Sequence, residues 1–106
     1  MAYEDTIAAL ADPTRRMVLD ALRAGPLPVG AIAGQLPVSR PAVSQHLKIM
    51  IDAGLLSVKS QGTRRFYAIA PHGADELRAY LDGLWDTALA AYTRAAQEKA
   101  HRKDTT

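Results

Sequence analysis

The chain of 106 residues contains no cysteine, so no disulfide, thiolate metal site or thiol redox chemistry is available within it. Long apolar runs are also missing, and nothing approaches the roughly 20 residues that a bilayer-spanning helix needs. The amino terminus, Met1-Ala2-Tyr3-Glu4-Asp5, is acidic where a secretion signal would be basic and then apolar. These absences predict a soluble, cytoplasmic protein. There is no glycine-rich loop of the kind that cradles phosphates. Ser44 and His46 lie about 200° apart around a helix, so that hydroxyl cannot pass its proton to that ring. An enzyme is therefore not expected.

What is present is a chain 48% hydrophobic, which predicts one small globular domain near the size where a single core is modest and oligomerisation helps. The net charge of +2 is unevenly placed. Residues 1–38 hold three basic and four acidic side chains, residues 39–65 five and one, and residues 66–106 five and six. The whole basic excess sits in the central quarter, the footprint expected of a nucleic-acid surface.

That quarter opens with Val38-Ser39-Arg40-Pro41-Ala42-Val43-Ser44-Gln45-His46-Leu47-Lys48-Ile49-Met50-Ile51. Ser39 is a natural N-cap, and because Pro41 lacks an N–H the hydroxyl must accept from Ala42. Val38 and Val43 have the spacing of a hydrophobic staple. Val43, Leu47 and Met50 fall on one face, while Arg40, Pro41, Ser44, Gln45 and Lys48 occupy a separate sector of about 140°. One side is built to bury. The other carries donors and acceptors of the types that contact base edges and phosphates in a major groove. His46, at about 240° on the wheel, flanks the buried stripe and reads as a packing or hydrogen-bonding histidine.

Before this stretch, Tyr3, Ile7 and Leu10 mark a short amphipathic helix ending near Ala11, too short to be stable alone. Asp12 and Pro13 restart the chain as N-cap and first-turn proline, Val18, Ala21 and Leu22 form the buried stripe of a second helix, and Gly25 closes it. Arg15, Arg16 and Arg23 read as solubilising charge on its outside, with Arg15 and Arg16 within reach of a phosphate. Pro26-Leu27-Pro28 is a tight connector. Val29, Ile32, Ala33 and Leu36 predict a third helix stopped by Pro37, with no capping side chain at its start. The third helix, a short turn and the helix capped by Ser39 make a helix-turn-helix, with Ala33 allowing close approach.

Gly54 suits a left-handed cap after the reading helix. Leu55 to Lys59 alternates as a strand, Ser60-Gln61-Gly62-Thr63 turns, and Arg64 to Ile69 returns. Leu56, Val58, Tyr67 and Ile69 can face the helices, leaving Lys59, Gln61, Arg64 and Arg65 at a basic tip set against the DNA backbone or minor groove. Pro71 opens the longest element, predicted to run to about Gln97. Leu77, Leu81, Leu84, Ala88, Ala91 and Ala95 form a heptad-like seam, flanked by Tyr80, Trp85, Leu89 and Tyr92. A helix of about 26 residues extends about 39 Å, too far for so small a domain to cover. Part of it is expected to pack against a second chain, with the first helix joining the interface. We thus expect a domain over residues 1–97 and a polar tail over 98–106.

These residues resemble a known family. Leu10-Ala11-Asp12-Pro13-Thr14-Arg15-Arg16, then Pro37-Val38-Ser39-Arg40-Pro41-Ala42-Val43-Ser44-Gln45-His46-Leu47-Lys48, then Ala53-Gly54-Leu55-Leu56, then Gly62-Thr63-Arg64-Arg65-Phe66-Tyr67 resemble the ArsR/SmtB winged-helix repressors of bacteria. The resemblance implies a mainly α (α+β) winged helix-turn-helix of four helices, two strands and a fifth helix. It also implies a homodimer through the terminal helices and repression at an inverted-repeat operator until a signal releases the protein. By position, Ser39, Arg40, Ser44, Gln45 and Lys48 belong to the reading helix, and Arg64 and Arg65 to the wing. Tyr3, Ile7, Leu10, Leu77, Tyr80, Leu81, Leu84, Trp85, Ala88 and Tyr92 are then the expected dimer contacts.

The departure lies in sensing. Metal sensors of this family carry cysteines on the third or reading helix, or histidines and carboxylates on the last. Here His72 and His101 would stand about 44 Å apart on one helix and cannot share a metal within one chain. No metal or cofactor is expected, and the chain resembles the metal-independent branch, which has the same Pro-Ala-Val-Ser-Gln-His-Leu signature and a Trp on the last helix. Two alternatives remain: a metal- or small-molecule-responsive derepressor with its site between the last helices of two chains, and a winged-helix module for protein interaction.

Overall fold

The computed structural model describes residues 2–104. The elements are α1 (Ala2–Leu10), α2 (Pro13–Leu22), β1 (Leu27–Pro28), α3 (Val29–Gln35), α4 (Arg40–Asp52), β2 (Leu56–Gln61), β3 (Arg64–Ile69) and α5 (Asp75–Asp104). The core is built where α2, α3 and α4 meet: Val18, Ile32, Val43, Leu47 and Met50 are almost wholly buried. They are the residues whose helical spacing predicted it.

Local chemistry sets the boundaries. Asp12 caps α2 by accepting from the N–H groups of Thr14 at 2.7 Å and Arg15 at 3.2 Å, with Pro13 in the first turn. α4 ends in a Schellman motif, in which the Leu55 N–H donates to Met50 O at 2.9 Å and the Gly54 N–H to Ile51 O at 3.0 Å. Gly54 adopts φ 80, and Leu55 and Met50 are buried together beside it.

α3 begins at Pro28 without any side-chain cap. A strand holds that end in place. Leu27 pairs with Tyr67 and Pro28 with Phe66, so the Pro26-Leu27-Pro28 connector is the short edge strand of a three-stranded sheet ordered β1-β3-β2. Proline is tolerated at such an edge because one side of the strand needs no partner. The hairpin turn is tighter than the four residues predicted, for β2 continues through Gln61, which pairs with Arg64. Gly62-Thr63 forms a two-residue connection, in which Gly62 takes a positive φ, 62.

α1 turns Thr6 and Ala9 onto the core with Leu10 half-buried beside them, and leaves Ile7 of the Tyr3-Ile7-Leu10 stripe 44% exposed, on the surface where a partner contact was expected of it. Two further expectations are corrected. Ile69, at the far end of β3 opposite Leu56, is 40% exposed, beyond the cover of the helices. α5 starts at Asp75 and continues through Asp104. Glu98, Lys99, Ala100, Arg102 and Lys103 past Gln97 are good helix formers that need no apolar stripe to stay helical.

α5 gives the molecule its shape. The radius of gyration is 20.4 Å and the extents are 75 × 26 × 22 Å, where a compact chain of this size has a radius of about 13 Å. The first turns of α5 meet the body, with Leu77 buried and Tyr80 stacked on Tyr3 of α1, ring centroids 4.9 Å apart. Among the described residues, no helix is long and apolar enough to cross a membrane.

Candidate nucleic-acid interface

α4 is fixed at its start by Ser39, whose hydroxyl accepts from the Ala42 N–H at 3.3 Å, the bond predicted from the missing proline donor. Its buried face holds Val43, Leu47 and Met50. Ser39, Arg40, Pro41, Ser44, Gln45 and Lys48 are all exposed, so the polar sector faces solvent as an unbroken face. His46 is half-buried between the two sectors. Its Nδ1 has no hydrogen-bond partner among the described residues, so the ring's visible role is packing.

The wing residues Lys59, Gln61, Arg64 and Arg65 are exposed as well, but the pleat separates them. Strand alternation, with Gln61 opposite Arg64, Ser60 opposite Arg65 and Lys59 opposite Phe66, puts Lys59, Gln61 and Arg64 on one face and Arg65 on the other. The Arg64 guanidinium carbon lies 5.5 Å from the centroid of the Phe66 ring, a cation–π contact that steadies it on the outer face.

Arg65 faces the helices. Together with Arg40, Arg64, Thr63, Tyr67 and the start of α3 it lines one cleft of about 480 Å³. Arg40 lies back over that start, where a Cβ on Gly30 would meet its Nη1 at 3.9 Å. The cleft thus joins the reading helix to the wing through arginines, with no acidic side chain in its lining among the described residues. Sequence reasoning found the arginines. Gly30 and Thr63, which complete the lining, carried no local sequence signal.

Arg15 and Arg16 were read as solubilising charge, and the structure gives them another role. Arg15 donates through Nε to Ala9 O at 2.7 Å and through Nη2 to Ala8 O at 3.2 Å, and Arg16 donates through Nη1 to Leu10 O at 2.7 Å. They satisfy the final carbonyls of α1, where cations also complement the helix dipole. The Arg15 N–H, then the Thr14 N–H and the charges of Arg15 and His46, hold the Asp12 carboxyl below its ordinary range against a smaller opposing effect of burial.

Of the expected dimer contacts, Leu77 is buried within the protomer and Leu10 is half-buried against its own core. Tyr3 is half covered by its stack with Tyr80. The others lie open: Ile7, Tyr80, Leu81, Leu84 and Ala88 are exposed, as are Trp85 at 65% and Tyr92 at 74%. His72 pairs with Asp75, Nδ1 to Oδ2 at 3.0 Å, while His101 lies far along α5, about 39 Å on from that carboxylate's position. No three histidine, aspartate or glutamate side chains converge on a metal-sized space among the described residues.

Comparison with known proteins agrees with this geometry. A family described as a helix-turn-helix domain matches residues 10–59. The HTH-type transcriptional regulator Rv2034 of Mycobacterium tuberculosis is 51% identical over 86 residues, spanning 81% of this chain and 80% of that protein. The transcriptional repressor SdpR of Bacillus subtilis is 38% identical over 58% of this chain and 68% of its own. Among solved structures, the ArsR family transcriptional regulator RHA00566 superposes with a TM-score of 0.75 at 30% identity, covering 82% of this chain and 96% of that one. A homodimeric winged helix-turn-helix DNA-binding domain from Mycobacterium bovis gives a TM-score of 0.66 at 30% identity over 83% and 82%. The chain belongs to the ArsR/SmtB family of winged helix-turn-helix transcriptional regulators.

Proposed function

We propose that this regulator is a cytoplasmic, metal-independent repressor that binds an inverted-repeat operator as a homodimer. The observation that carries the reading is the division of α4. Val43, Leu47 and Met50 are fully buried while Ser44, Gln45 and Lys48 stand exposed opposite them, and Arg40 at the helix start shares a cleft with Arg65 of the wing. Ser44 and Gln45 then read base edges. Ser39, Arg40, Pro41 and Lys48 lie along the adjoining strand, and Lys59, Gln61, Arg64 and Arg65 engage phosphates and the neighbouring groove.

A homodimer is supported by the bare apolar face of α5 and by the homodimeric Mycobacterium bovis domain. Repression is supported by relatives named as repressors, SdpR among them. Metal independence is supported by the lack of any cysteine. Two reading helices related by a twofold axis engage major grooves about 34 Å apart, so half-sites fall about one helical turn from each other. Selection of bound duplexes from a random library tests this. Enrichment of an inverted repeat with that spacing is expected, and recovery of no shared sequence would overturn the reading.

A further inference from the structure

The sheet has a second face, turned away from the helices. Register places Ser57, Lys59 and Gln61 of β2 beside Phe66 and Ala68 of β3 on it. There they line a hollow of about 480 Å³ with Pro26 and Pro71, within the span of about 300–1,000 Å³ common for small-molecule sites. Phe66 and Ala68, both half-buried, make an apolar floor, and the two prolines add rigid apolar edges. Lys59 and Gln61 supply an ammonium and an amide at the end nearest the wing tip, and Arg64 lies over the Phe66 ring. Among the described residues, no acidic side chain lines the hollow.

One end is therefore cationic and the rest is flat and apolar. An inorganic anion would leave the Phe66 and proline surfaces uncovered, and a cation would be repelled by Lys59 and Arg64. The complementary ligand is a small organic carboxylate with a planar apolar body. We propose that the outer face of the sheet binds such a carboxylate, its anionic group against Lys59 and Gln61 and its body on Phe66 and Ala68. Lys59 and Arg64 are also among the cations assigned above to the DNA backbone, so the bound carboxylate neutralises charge that DNA needs and favours release. This second step rests on the DNA-binding reading, whereas the site itself does not.

The test is a titration of the ¹⁵N-labelled, DNA-free protein with 2-naphthoate, followed by NMR. Saturable shifts centred on Lys59, Phe66 and Ala68 are expected. Lys59→Gln, a change at an exposed position that leaves the fold intact, weakens binding about fivefold, and uncharged 2-naphthol binds weaker than the carboxylate by a similar factor. Ala68→Trp fills the hollow and abolishes the shifts. Shifts centred on Leu81 and Trp85 of α5, or equal binding of naphthoate and naphthol, would overturn the site. A parallel measurement adds saturating 2-naphthoate to the protein bound to its selected operator. Weaker operator binding supports the regulatory step, and unchanged binding with the sheet saturated overturns that step alone. Failure to bind DNA without naphthoate counts against the DNA-binding reading, and the NMR titration still decides the site.

Discussion

Gly73 packs so closely on the carbonyl of Gly54 that a side chain there would overlap it. Next to this contact the Ala70 N–H donates to Leu55 O at 2.9 Å, so the exit of the sheet is latched to the end of the reading helix. The latch sets where α5 begins. Gly73→Ala must displace backbone rather than a flexible side chain, and should lower stability by about 1–3 kcal/mol in a denaturant titration. Gly83, inside α5 with open space around it, should respond with the opposite sign, Gly83→Ala gaining up to about 1 kcal/mol from helix propensity. A loss at Gly83 instead would place that position against a partner helix.

Removing Arg15 should loosen α1 from α2. Its side chain, 15% exposed, serves two terminal carbonyls of α1 through the guanidinium, and Arg15→Ala should cost about 1–2 kcal/mol. Arg23→Ala, on the exposed end of the same helix, should stay within about 0.5 kcal/mol. Equal effects in thermal unfolding would mean that Arg15 is solubilising charge after all.

Asp12 gives the cap of α2 a pH dependence. Its carboxyl is held below the ordinary aspartate value of 3.8 when folded, so the stabilisation is present above that value. It is lost as pH falls through the depressed folded value. Asp12→Asn keeps a capping oxygen but does not titrate there. Below the ordinary aspartate value, its stability should fall less steeply with acid than the wild type's, and parallel curves would contradict the assignment.

The chain has a single tryptophan, and Trp85 is 65% exposed in the protomer. If α5 pairs with α5 of a second copy, Trp85 emission should shift to the red on dilution as the ring meets water. Leu84→Arg should give the red-shifted monomer at all concentrations and weaken operator binding with it. Emission independent of concentration, with a monomeric mass by sedimentation, would remove the proposed dimer.

Features set by neighbouring residues were legible in the sequence: the caps at Asp12, Ser39 and Gly54, the buried stripe of α4 and the basic hairpin. Those decided across distance were not. The two residues of β1 become a strand only because β3 lies beside them. The stripe of Tyr3, Ile7 and Leu10 has helical spacing, yet spacing does not say whether the core or α5 takes it. Arg15 and Arg16 count the same whether they face water or close the end of α1. For the candidate site, sequence named the exposed residues of α4 and the wing. The opposite facing of Arg64 and Arg65 follows from strand alternation, but that Gln61 belongs to β2 and shares a face with Arg64 needed the register of the hairpin, whose turn has two residues rather than four.

DNA reading by α4 and the wing is tested by comparing Gln45→Ala with Arg65→Ala on the selected operator and on single-base variants of it, at several salt concentrations. Arg65→Ala should weaken binding to every sequence and lower the salt slope by about 0.9 for each phosphate contact removed in the dimer. Gln45→Ala should keep the slope and relax the preference at one base position in each half-site by about 1–3 kcal/mol. If Gln45→Ala leaves every base preference intact and Arg65→Ala leaves the salt slope unchanged, in variants shown to be folded, then α4 and the wing are not the surface that reads DNA.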